Sequence, residues 1–320
     1  MDRCNLRCTY CMPESVFHPG YAFLRREELL RYEELVFLAQ AFVDLGVQKI
    51  RITGGEPLLR RDLTRFVAML RDLSPTLDLA LTTNGILLPQ CAKGLRDAGL
   101  NRLTLSFDSL RDDRLRAISG RNLEVKTLWK AIDSAQEAGF DSLKINVMVQ
   151  RGVNHDEVIP FANAFAGTPH RLRFIEFMDV GATNNWEPER VFTAREMREQ
   201  LESLGSLEPL PTGPTAVARE WNLNRKDGSN QVIGFISSVS EPFCGGCSRA
   251  RISAIGEMFT CLFASEGISL RERIREGIDP KDLRTLLADI WNPRMNRYSE
   301  ERPSFVTPSR KRVEMSYIGG

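Results

Sequence analysis

Alternation between apolar strand-like runs and amphipathic helix-like runs, from about residue 30 to residue 200, constrains the fold of this 320-residue chain more than any other feature. Strands separated by helices run parallel and connect through right-handed crossovers. The sequence therefore predicts an α/β fold built on a parallel sheet. The predicted strands span residues 48–53, 77–82, 102–106, 143–149 and 171–178, and the predicted helices span residues 30–45, 62–73, 89–98, 124–138, 156–166 and 193–204.

Polar and glycine-rich residues follow these predicted strands, at the carboxyl ends where parallel sheets bind their ligands. Because the carboxyl ends of parallel strands meet at one edge of a sheet, the sequence predicts the functional site at that edge. The candidate positions are Gly54-Gly55-Glu56-Pro57, Thr82-Thr83-Asn84-Gly85, Ser106-Phe107-Asp108, Asn146 and Met178.

The pattern changes after about residue 205, where a proline-rich loop at residues 208–214 comes before short elements. The sequence thus predicts two domains, residues 1–205 and a smaller α+β domain at residues 206–320. Within the second domain we predict strands at 232–239 and 251–263 (the latter a pair turning at Gly256), helices at 270–276 and 280–290, and a polar, basic loop at 299–312.

Charge and cysteine content narrow the class of protein. A formal net charge of +1 gives no global field for a nucleic acid polymer or a membrane surface, and no apolar run approaches the roughly 20 residues of a membrane span. The seven cysteines are clustered as 4/8/11, 91 and 244/247/261. This odd number favours two metal sites in a reducing compartment over a disulfide framework. Cys91 falls in a predicted helix and is interpreted as an ordinary buried residue.

Cys4, Cys8 and Cys11 form a C-x3-C-x2-C motif in a short polar segment. Thiolates are soft ligands that suit iron–sulfur clusters and zinc. Three thiolates can hold a 4Fe–4S cluster and leave one iron open to a ligand, as catalytic metal sites leave a position open. The alternatives are a zinc site with a distant fourth ligand, or three unrelated buried cysteines.

The loop Gly54-Gly55-Glu56-Pro57 follows a predicted strand, and its glycines allow a ligand to approach the backbone closely. By itself it is somewhat more typical of an ordinary turn between a strand and a helix. Together with the cysteine motif, it resembles the signature of the radical S-adenosylmethionine (SAM) superfamily. That resemblance implies that SAM chelates the open iron through its amino and carboxylate groups and is cleaved to a 5′-deoxyadenosyl radical.

A second triplet, Cys244, Cys247 and Cys261, lies in the predicted C-terminal domain. A closed zinc site needs four ligands, so three thiolates are at least as compatible with a second cluster that has an open iron. Arg249 and Arg251 follow the C-x2-C loop at alternate positions. Arginine suits bidentate phosphate contacts, although two solvated arginines on an exposed strand are the simpler interpretation.

Six segments spread over essentially the whole chain resemble the GTP 3′,8-cyclase family, which performs the first step of molybdenum cofactor biosynthesis. The resemblance implies a partial (β/α)6-type, TIM-like radical SAM barrel followed by a cluster-binding α+β domain. The segments are residues 2–8, 51–58, 81–85, 173–181, 243–251 with 261–263, and the terminal 317–320.

The resemblance also implies a role for each candidate residue. Two 4Fe–4S clusters and SAM are the implied cofactors, and the open iron of the second cluster is implied to bind the guanine base. The implied ligands are Cys4, Cys8 and Cys11 for the SAM cluster, Cys244, Cys247 and Cys261 for the second cluster, Tyr10, Gly55, Glu56, Ser106 and Met178 for SAM, and Arg51, Thr82, Lys144, Arg249, Ala250 and Arg251 for GTP. Lys49 and Arg173 are two further cations on predicted strands that could point inward.

The implied reaction begins with abstraction of hydrogen from C3′ of the ribose. The C3′ radical then adds to C8 of guanine, and reduction gives 3′,8-cyclo-7,8-dihydro-GTP. The implied partners are GTP, a reduced flavodoxin or ferredoxin, the downstream cyclic pyranopterin monophosphate synthase and a second copy in a homodimer. The implied compartment is the bacterial cytoplasm, or the mitochondrial matrix in a eukaryote.

Both ends of the chain carry an expectation. In this family, the terminal Gly319-Gly320 is expected to reach the active-site cavity, whereas a flexible end is the simpler interpretation. A first barrel strand with a further GTP-contacting arginine is expected just before Asp2, so a chain that starts at Met1 should lack that strand.

Two other functions remain open on the sequence. One is a peptide-modifying radical SAM enzyme with an auxiliary cluster, although such enzymes usually carry more distal cysteines. The other is a zinc-binding scaffold without catalytic activity.

Overall fold

The structure is a computed structural model, and it describes residues 1–302 and 312–319. Its strands are β1 (Lys49–Ile52), β2 (Asp78–Thr83), β3 (Arg102–Ser106), β4 (Lys144–Val149), β5 (Arg171–Glu176), β6 (Gly205–Pro209), β7 (Arg219–Arg225), β8 (Asn230–Ile236), β9 (Arg251–Ile252), β10 (Glu257–Phe259) and β11 (Ile268–Ser269). Its helices are α1 (Tyr32–Asp44), α2 (Leu63–Leu73), α3 (Leu88–Asp97), α4 (Asp112–Ser119), α5 (Val125–Glu137), α6 (Val158–Ala164), α7 (Ala194–Leu201), α8 (Arg271–Arg275), α9 (Pro280–Trp291), α10 (Tyr298–Glu301) and α11 (Met315–Ile318).

Within the described residues, one eight-stranded sheet has the order β1-β2-β3-β4-β5-β8-β7-β6. β1 to β5 are parallel neighbours, and β8 continues the parallel set beside β5. β7 and β6 then extend the sheet in antiparallel fashion. The predicted α/β class is therefore confirmed, with six parallel strands in register and helices in the connections between β1 and β5.

The parallel strands alternate between two faces because successive side chains of a strand point to opposite sides. One face is apolar and packs against the buried faces of helices α2 to α7 to form the main core. Its strand residues include Leu79, Leu81, Leu103, Leu105, Ile145, Val147, Leu172 and Phe174, and its helix residues include Phe66, Leu70, Leu95, Leu128, Ile132, Phe161 and Met197.

The opposite face, called the inner face below, is mostly polar, although Ala80, Met148 and Ile175 also lie on it. It carries Lys49 and Arg51 on β1, Asp78 and Thr82 on β2, Arg102, Thr104 and Ser106 on β3, Lys144 and Asn146 on β4, and Arg171 and Arg173 on β5. A hydrogen bond from Arg51 Nη1 to Thr82 Oγ1 (3.1 Å) crosses two strands on this face. A sheet face of this composition is suited to a charged ligand rather than to a dry core.

The C-terminal region forms a second, smaller unit on the outside of α1. This unit consists of a three-stranded sheet of order β11-β10-β9 and of helices α8 and α9. Leu283 and Leu287 of α9 join Leu38 and Ala41 of α1 in a separate buried cluster. Helix α1 is thus held between two apolar cores, and the predicted pair of strands turning at Gly256 is confirmed as β9 and β10.

Several elements were not predicted. β6 begins inside a segment interpreted as helix end and loop, β7 is largely polar, and α4 and α10 carry few apolar residues. β7 is stabilised by hydrogen bonds to β6 on one side and β8 on the other, so its pairing depends on the tertiary fold. The loop predicted at 299–312 includes α10, and residues 303–311 of it lie outside the described residues.

The division of the chain at residue 205 stays a prediction, although the large sheet continues across that position through β6, β7 and β8. In the described residues β1 has β2 as its one neighbour and forms an edge of the sheet. None of the helices in the described ranges combines the length and the apolar character needed to cross a lipid bilayer.

Glu176, at the end of β5, is fully buried and joins three parts of the chain. Its carboxylate accepts hydrogen bonds from the backbone N–H groups of Ala194 (2.8 Å), Val239 (2.9 Å) and Ser240 (2.9 Å), and from the Ser240 hydroxyl. These contacts hold the start of α7 and the segment that leads to Cys244 against the sheet.

We expect Glu176→Ala to lower the free energy of unfolding by about 3–5 kcal/mol, because it leaves several buried donors unpaired. Glu176→Gln should cost less, since one carbonyl oxygen remains as an acceptor. Anaerobic urea denaturation measures both, with Glu199→Ala on the exposed side of α7 as the control, expected within about 0.5 kcal/mol of the parent chain. Equal stability of Glu176→Ala and the control would show that the carboxylate is dispensable.

Candidate active site

The first cysteine triplet lies on a loop that is folded around the side chain of Arg7. The Arg7 guanidinium donates to the carbonyl oxygens of Cys4 (2.8 Å), Leu6 (2.7 Å) and Phe17 (2.7 Å). The Arg7 backbone N–H also donates to Ser119 O at the end of α4 (2.8 Å). Since a guanidinium has five donors in a rigid plane, one side chain can fix the course of the whole loop.

The three thiols of this loop face one another. Burial raises the pKa of Cys4, Cys8 and Cys11, and the charges of the neighbouring cysteines raise the pKa of Cys8 and Cys11 further. Leu6 N–H (3.4 Å) and Asn84 Nδ2 (3.7 Å) point at Cys4 Sγ as donors, so this sulfur is prepared to carry negative charge. Thiols that repel one another when ionised fit a bound cationic group, which deprotonates them.

No set of three or more cysteine, histidine, aspartate or glutamate side chains in the described ranges is arranged to hold one metal ion. A 4Fe–4S cluster makes a different demand on geometry, because its three protein thiolates bind three different irons. The donor set of the first loop, three cysteines with N–H groups directed at sulfur, fits such a cluster.

The predicted glycine loop packs directly on the segment that carries Cys4. Gly55 N–H donates to Met1 O (2.8 Å), and Glu56 N–H donates to Arg3 O (2.8 Å). A Cβ atom at Gly55 would lie 2.3 Å from Arg3 O, and Gly54 has φ of +144°. Both glycines are therefore required for this close approach, whichever ligand the loop binds.

Glu56 is buried, and both of its carboxylate oxygens are engaged within the protein. They accept from Leu58 N–H (3.0 Å), Thr83 Oγ1 (2.8 Å) and Asn84 N–H (2.8 Å). The Asn84 amide in turn donates to Asn5 Oδ1 (2.7 Å). Glu56 therefore joins the loops that follow β1 and β2 to the cysteine loop, a structural role that the sequence did not indicate.

Tyr10 reaches across the same edge to Asp108, at the end of β3. The Tyr10 hydroxyl donates to Asp108 Oδ2 (2.6 Å), and Met148 N–H donates to Asp108 Oδ1 (2.9 Å). Burial raises the pKa of Asp108 to about 6, although both hydrogen bonds act in the opposite direction. Asp108 lay in a predicted motif, but nothing in the sequence assigned it this contact.

Ser106 and Asn146 are direct partners in the register of β3 and β4 and lie next to Asp108 on the inner face. Asn146 Oδ1 is buried and has no hydrogen-bond partner within the part of the chain that the structure describes, which marks it as an acceptor for a ligand donor. Met178 is half-buried after β5, and its carbonyl oxygen accepts from Asn184 Nδ2 (2.8 Å).

The second triplet is also brought together by the fold. Cys247 N–H donates to Cys244 O (3.0 Å), which closes the C-x2-C turn, and Phe263 N–H donates to Cys261 Sγ (3.4 Å). Burial raises the pKa of Cys261, and the charges of Cys244 and Cys247 act in the same direction. The donor set again fits a cluster bound by three thiolates.

Arg249 contacts this second site through sulfur. Its guanidinium donates to Cys247 Sγ (3.0 and 3.3 Å) and lies 5.2 Å from the centre of the Phe243 ring. Burial by itself would raise the pKa of Cys247, but the Arg249 backbone N–H and guanidinium lower it overall. Ala250 is exposed, and strand β9 begins only at Arg251, so Arg249 precedes the strand.

A row of cations, called the cation row below, lies on and beside the inner face; it consists of Arg51, Lys144, Arg173 and Arg251, which form no ion pair with a carboxylate among the described residues. Burial, followed by the charges of neighbouring cations, lowers the pKa of Lys144 to about 7 and those of Arg173 and Arg251 to about 10. Arg173 Nε is buried without a partner. Unpaired cations held this close are costly unless an anion binds between them.

Arg51 belongs to the same row, and its surroundings explain two observations that differ at first sight. Its side chain is accessible to solvent, yet loss of hydration is the largest cause that lowers its pKa. The two agree when Arg51 stands in a recess, where water reaches it but protein atoms surround it. The charge of Asp78 raises the pKa of Arg51, whereas the charges of Arg249 and Arg102 lower it further, so Arg51 has cations on both sides.

The C-terminal segment reaches this site and is anchored on both sides of the loop after β5. Buried Asp179 accepts from Tyr298 Oη (2.6 Å), Arg302 Nε (3.0 Å) and Arg312 Nη1 (3.0 Å). Beyond it, Gly319 packs on Thr53, and its carbonyl oxygen accepts from Arg251 Nε (3.4 Å). Gly320 lies outside the described residues, so the expectation that the terminal glycine pair reaches the active-site cavity stays a prediction, with which the contacts of Gly319 with Thr53 and Arg251 are consistent.

The low pKa of Lys144 predicts a stability effect with a definite sign. An unfolded lysine titrates near 10.4, so below about pH 7 both states bind the proton and the folded state bears the full cost of the buried charge. We expect Lys144→Met to raise the thermal midpoint of the nucleotide-free protein at pH 6, and the gain to fade between pH 7 and about pH 10. Lys93→Met, at an exposed lysine of α3, is the control and should show no such dependence. A gain that is constant with pH would contradict the assignment.

Comparison with known proteins agrees with this geometry. The family model of the radical SAM superfamily matches residues 1–165, and the model of the molybdenum cofactor synthesis C-terminal family matches residues 170–300. Among solved structures, a methylornithine synthase covers 63% of this chain at 15% identity with a TM-score of 0.49, which is too distant to bear on function.

Curated relatives match the chain over its full length. The GTP 3′,8-cyclase of Staphylococcus haemolyticus is 42% identical over 322 residues, which are 100% of this chain and 94% of the relative. The GTP 3′,8-cyclase of Xanthomonas axonopodis pv. citri is 47% identical over 323 residues, with the same coverage. At this identity and coverage, and with both cysteine triplets in place, the chain belongs to the GTP 3′,8-cyclase family of radical SAM enzymes.

Proposed function

We propose that this chain converts GTP to 3′,8-cyclo-7,8-dihydro-GTP, the first step of molybdenum cofactor biosynthesis. The observation that carries the proposal is the cation row, which includes Arg51, Lys144, Arg173 and Arg251 and extends toward the second cysteine triplet. A nucleoside triphosphate brings about four negative charges, which match a row of cations that lack acidic partners.

Cys4, Cys8 and Cys11 would hold the first cluster, to which SAM would bind. When bound, the cluster and SAM supply a primary carbon radical that abstracts one hydrogen atom. The protein residues that surround SAM are Tyr10, Gly55, Glu56, Ser106 and Met178, and we add Asn146 for its unpaired buried oxygen. Glu56 acts through the backbone that it positions, because its own oxygens are engaged.

GTP lies along the inner face between the two clusters. The triphosphate contacts Arg51, Lys144 and Arg173, and Thr82 helps to hold the Arg51 guanidinium. Without nucleotide the pKa of Lys144 is about 7, and the bound phosphates raise it, since an adjacent anion favours the charged form. This arrangement fixes the ribose relative to SAM, which is the protein's main contribution to the rate.

Cys244, Cys247 and Cys261 would hold the second cluster, at which the guanine base would bind. Arg251 and the backbone around Ala250 contact the nucleotide on this side, and Arg249 contacts both the nucleotide and Cys247. C3′ bonds to C8, and one electron and one proton then complete the dihydro product. The electron comes from a reduced flavodoxin or ferredoxin, and this donor, the downstream synthase, a homodimer and a reducing compartment such as the bacterial cytoplasm are parts of the proposal.

A peptide-modifying enzyme with an auxiliary cluster is less compatible with this site. An extended peptide needs neutral hydrogen-bonding groups and side-chain pockets, whereas the inner face presents repeated cations. A zinc-binding scaffold without activity does not explain why the cation row is present.

The direct test is anaerobic incubation with SAM, a reductant and GTP labelled with deuterium at C3′. The product is an isomer of GTP, so it is resolved by chromatography before mass spectrometry. We expect deuterium to appear in 5′-deoxyadenosine and to be lost from the nucleotide. Formation of 5′-deoxyadenosine without any change in GTP would overturn the proposal.

Mutations in the two cysteine triplets should affect different activities. We expect Cys4→Ala, Cys8→Ala and Cys11→Ala to abolish formation of 5′-deoxyadenosine, because each deprives the first cluster of a ligand. Cys244→Ala, Cys247→Ala and Cys261→Ala should retain cleavage of SAM and lose cyclisation. Chromatography of both products and iron analysis measure this, with Cys91→Ala as the control that keeps both activities. Loss of both activities in the second set, with the first cluster intact, would refute the division of labour.

Arg251 should contribute strongly to nucleotide affinity. A hydrogen bond to a charged group is worth about 1.5–3 kcal/mol, so Arg251→Ala is expected to raise the Kd for GTP roughly 10- to 150-fold. Equilibrium dialysis measures the affinity, and Arg65→Ala, at an exposed ion pair between α1 and α2, is the matched control. If Arg251→Ala binds GTP as tightly as Arg65→Ala does, Arg251 is a solvated surface arginine.

A further inference from the structure

Next to the cation row, a small charge cluster of both signs lies at the N-terminal rim of the sheet. Lys49, Asp78 and Arg102 are the first residues of β1, β2 and β3, and all lie on the inner face. The Asp78 carboxylate accepts from Lys49 Nζ (2.8 Å) and from Arg102 Nε (2.9 Å). One carboxylate therefore holds two cations at this rim.

Asp78 is unusual in this position. On the inner faces of the six parallel strands, within the ranges that the structure describes, it is the one carboxylate among several lysines and arginines. Burial would raise the pKa of Asp78, but Lys49 and Arg102 lower it overall, so the group stays ionised. An ionised carboxylate beside a phosphate site repels an anion that binds there, so Asp78 needs a further role to explain its position.

The rim opens into a recess of about 680 Å³, with Asp78, Arg102, Lys144, Arg171 and Glu220 among its lining residues. In the sheet register, Thr104 is level with Lys144, and Arg102 lies two residues before Thr104. Two residues of strand rise about 6.6 Å. A phosphate chain that starts at Lys144 therefore has both the room and the direction to end near Arg102.

We propose that Arg102 is a specificity residue that binds the terminal phosphate of the nucleotide, and that Asp78 is the counter-ion that holds Arg102 and Lys49 until that phosphate competes for them. The proposal rests on the function proposed above and adds the readout of phosphate-chain length. A monophosphate would leave the Asp78 pairs undisturbed, whereas the terminal phosphate of GTP would replace Asp78 as the partner of Arg102.

The two residues should then affect GTP in opposite directions. Removing Arg102 removes an attraction, and neutralising Asp78 removes a repulsion and releases two cations. If the ion pair between Asp78 and Arg102 were purely structural, removing either partner would change GTP affinity in the same direction.

The test compares Arg102→Ala and Asp78→Asn in the anaerobically reconstituted protein, by equilibrium dialysis with labelled GTP, GDP and GMP. We expect Arg102→Ala to weaken GTP binding about tenfold or more, as for a lost charged hydrogen bond, and to change GMP binding little. We expect Asp78→Asn to tighten GTP binding about threefold or more, again with a smaller effect on GMP. Arg65→Ala and Glu33→Gln, which break an exposed ion pair on α1 and α2, are the matched controls and should leave all three affinities unchanged.

Two results would overturn the inference: a shift of GTP affinity in the same direction for both variants, or equal effects on GTP and GMP. Iron content and thermal midpoint establish that each variant is folded before affinities are compared. If the parent chain neither binds nor cyclises GTP, the proposed function fails and this inference fails with it. If the parent chain cyclises GTP and the variants do not differ in sign, this inference alone is wrong.

Discussion

Repulsion among cations on one face of the parallel sheet is the constraint on which the rest of this structure depends. Lys144 and Arg173 lie on neighbouring strands; besides burial, the charge of Arg173 lowers the pKa of Lys144, and the charge of Arg51 lowers the pKa of Arg173. The sheet tolerates this because its other face is covered by helices through a continuous apolar core. Stability is thus concentrated on one face of the sheet, and ligand binding on the other.

Buried carboxylates, unlike these cations, have hydrogen-bond partners within the protein. Glu56, Asp108, Glu176 and Asp179 all lie at the carboxyl edge of the sheet, and each accepts several hydrogen bonds from other parts of the chain. They hold the cysteine loop, the segment that leads to the second triplet and the C-terminal segment against the strand ends. Fully satisfied polar groups make this edge rigid, whereas the unpaired cations and Asn146 mark where a ligand supplies the missing partners.

Prediction from sequence succeeded where a pattern is local. The strands at residues 102–106 and 144–149 and the helices around α1, α3 and α5 follow from apolar periodicity and glycine ends, and they lie where they were predicted. β7 was missed because its residues are mostly polar and its partners, β6 and β8, are needed to stabilise it. The hydrogen bonds that Thr83 and Asn84 donate to Glu56 could not be predicted either, because contacts between loops that are distant in the chain produce no local sequence pattern.

The sequence by itself determined the α/β class, the two cysteine triplets, the glycine loop and the identity of the cations on the strands, because each is written in the spacing of a short segment. Only the tertiary structure decided which of these residues meet. Strand register placed Arg51, Lys144 and Arg173 on one face, folding of the C-terminal segment brought Gly319 to Thr53 and Arg251, and the start of β2 placed Asp78 between Lys49 and Arg102. The physical reason is that charge interactions act through space, and proximity in space is set by the packing of the whole sheet.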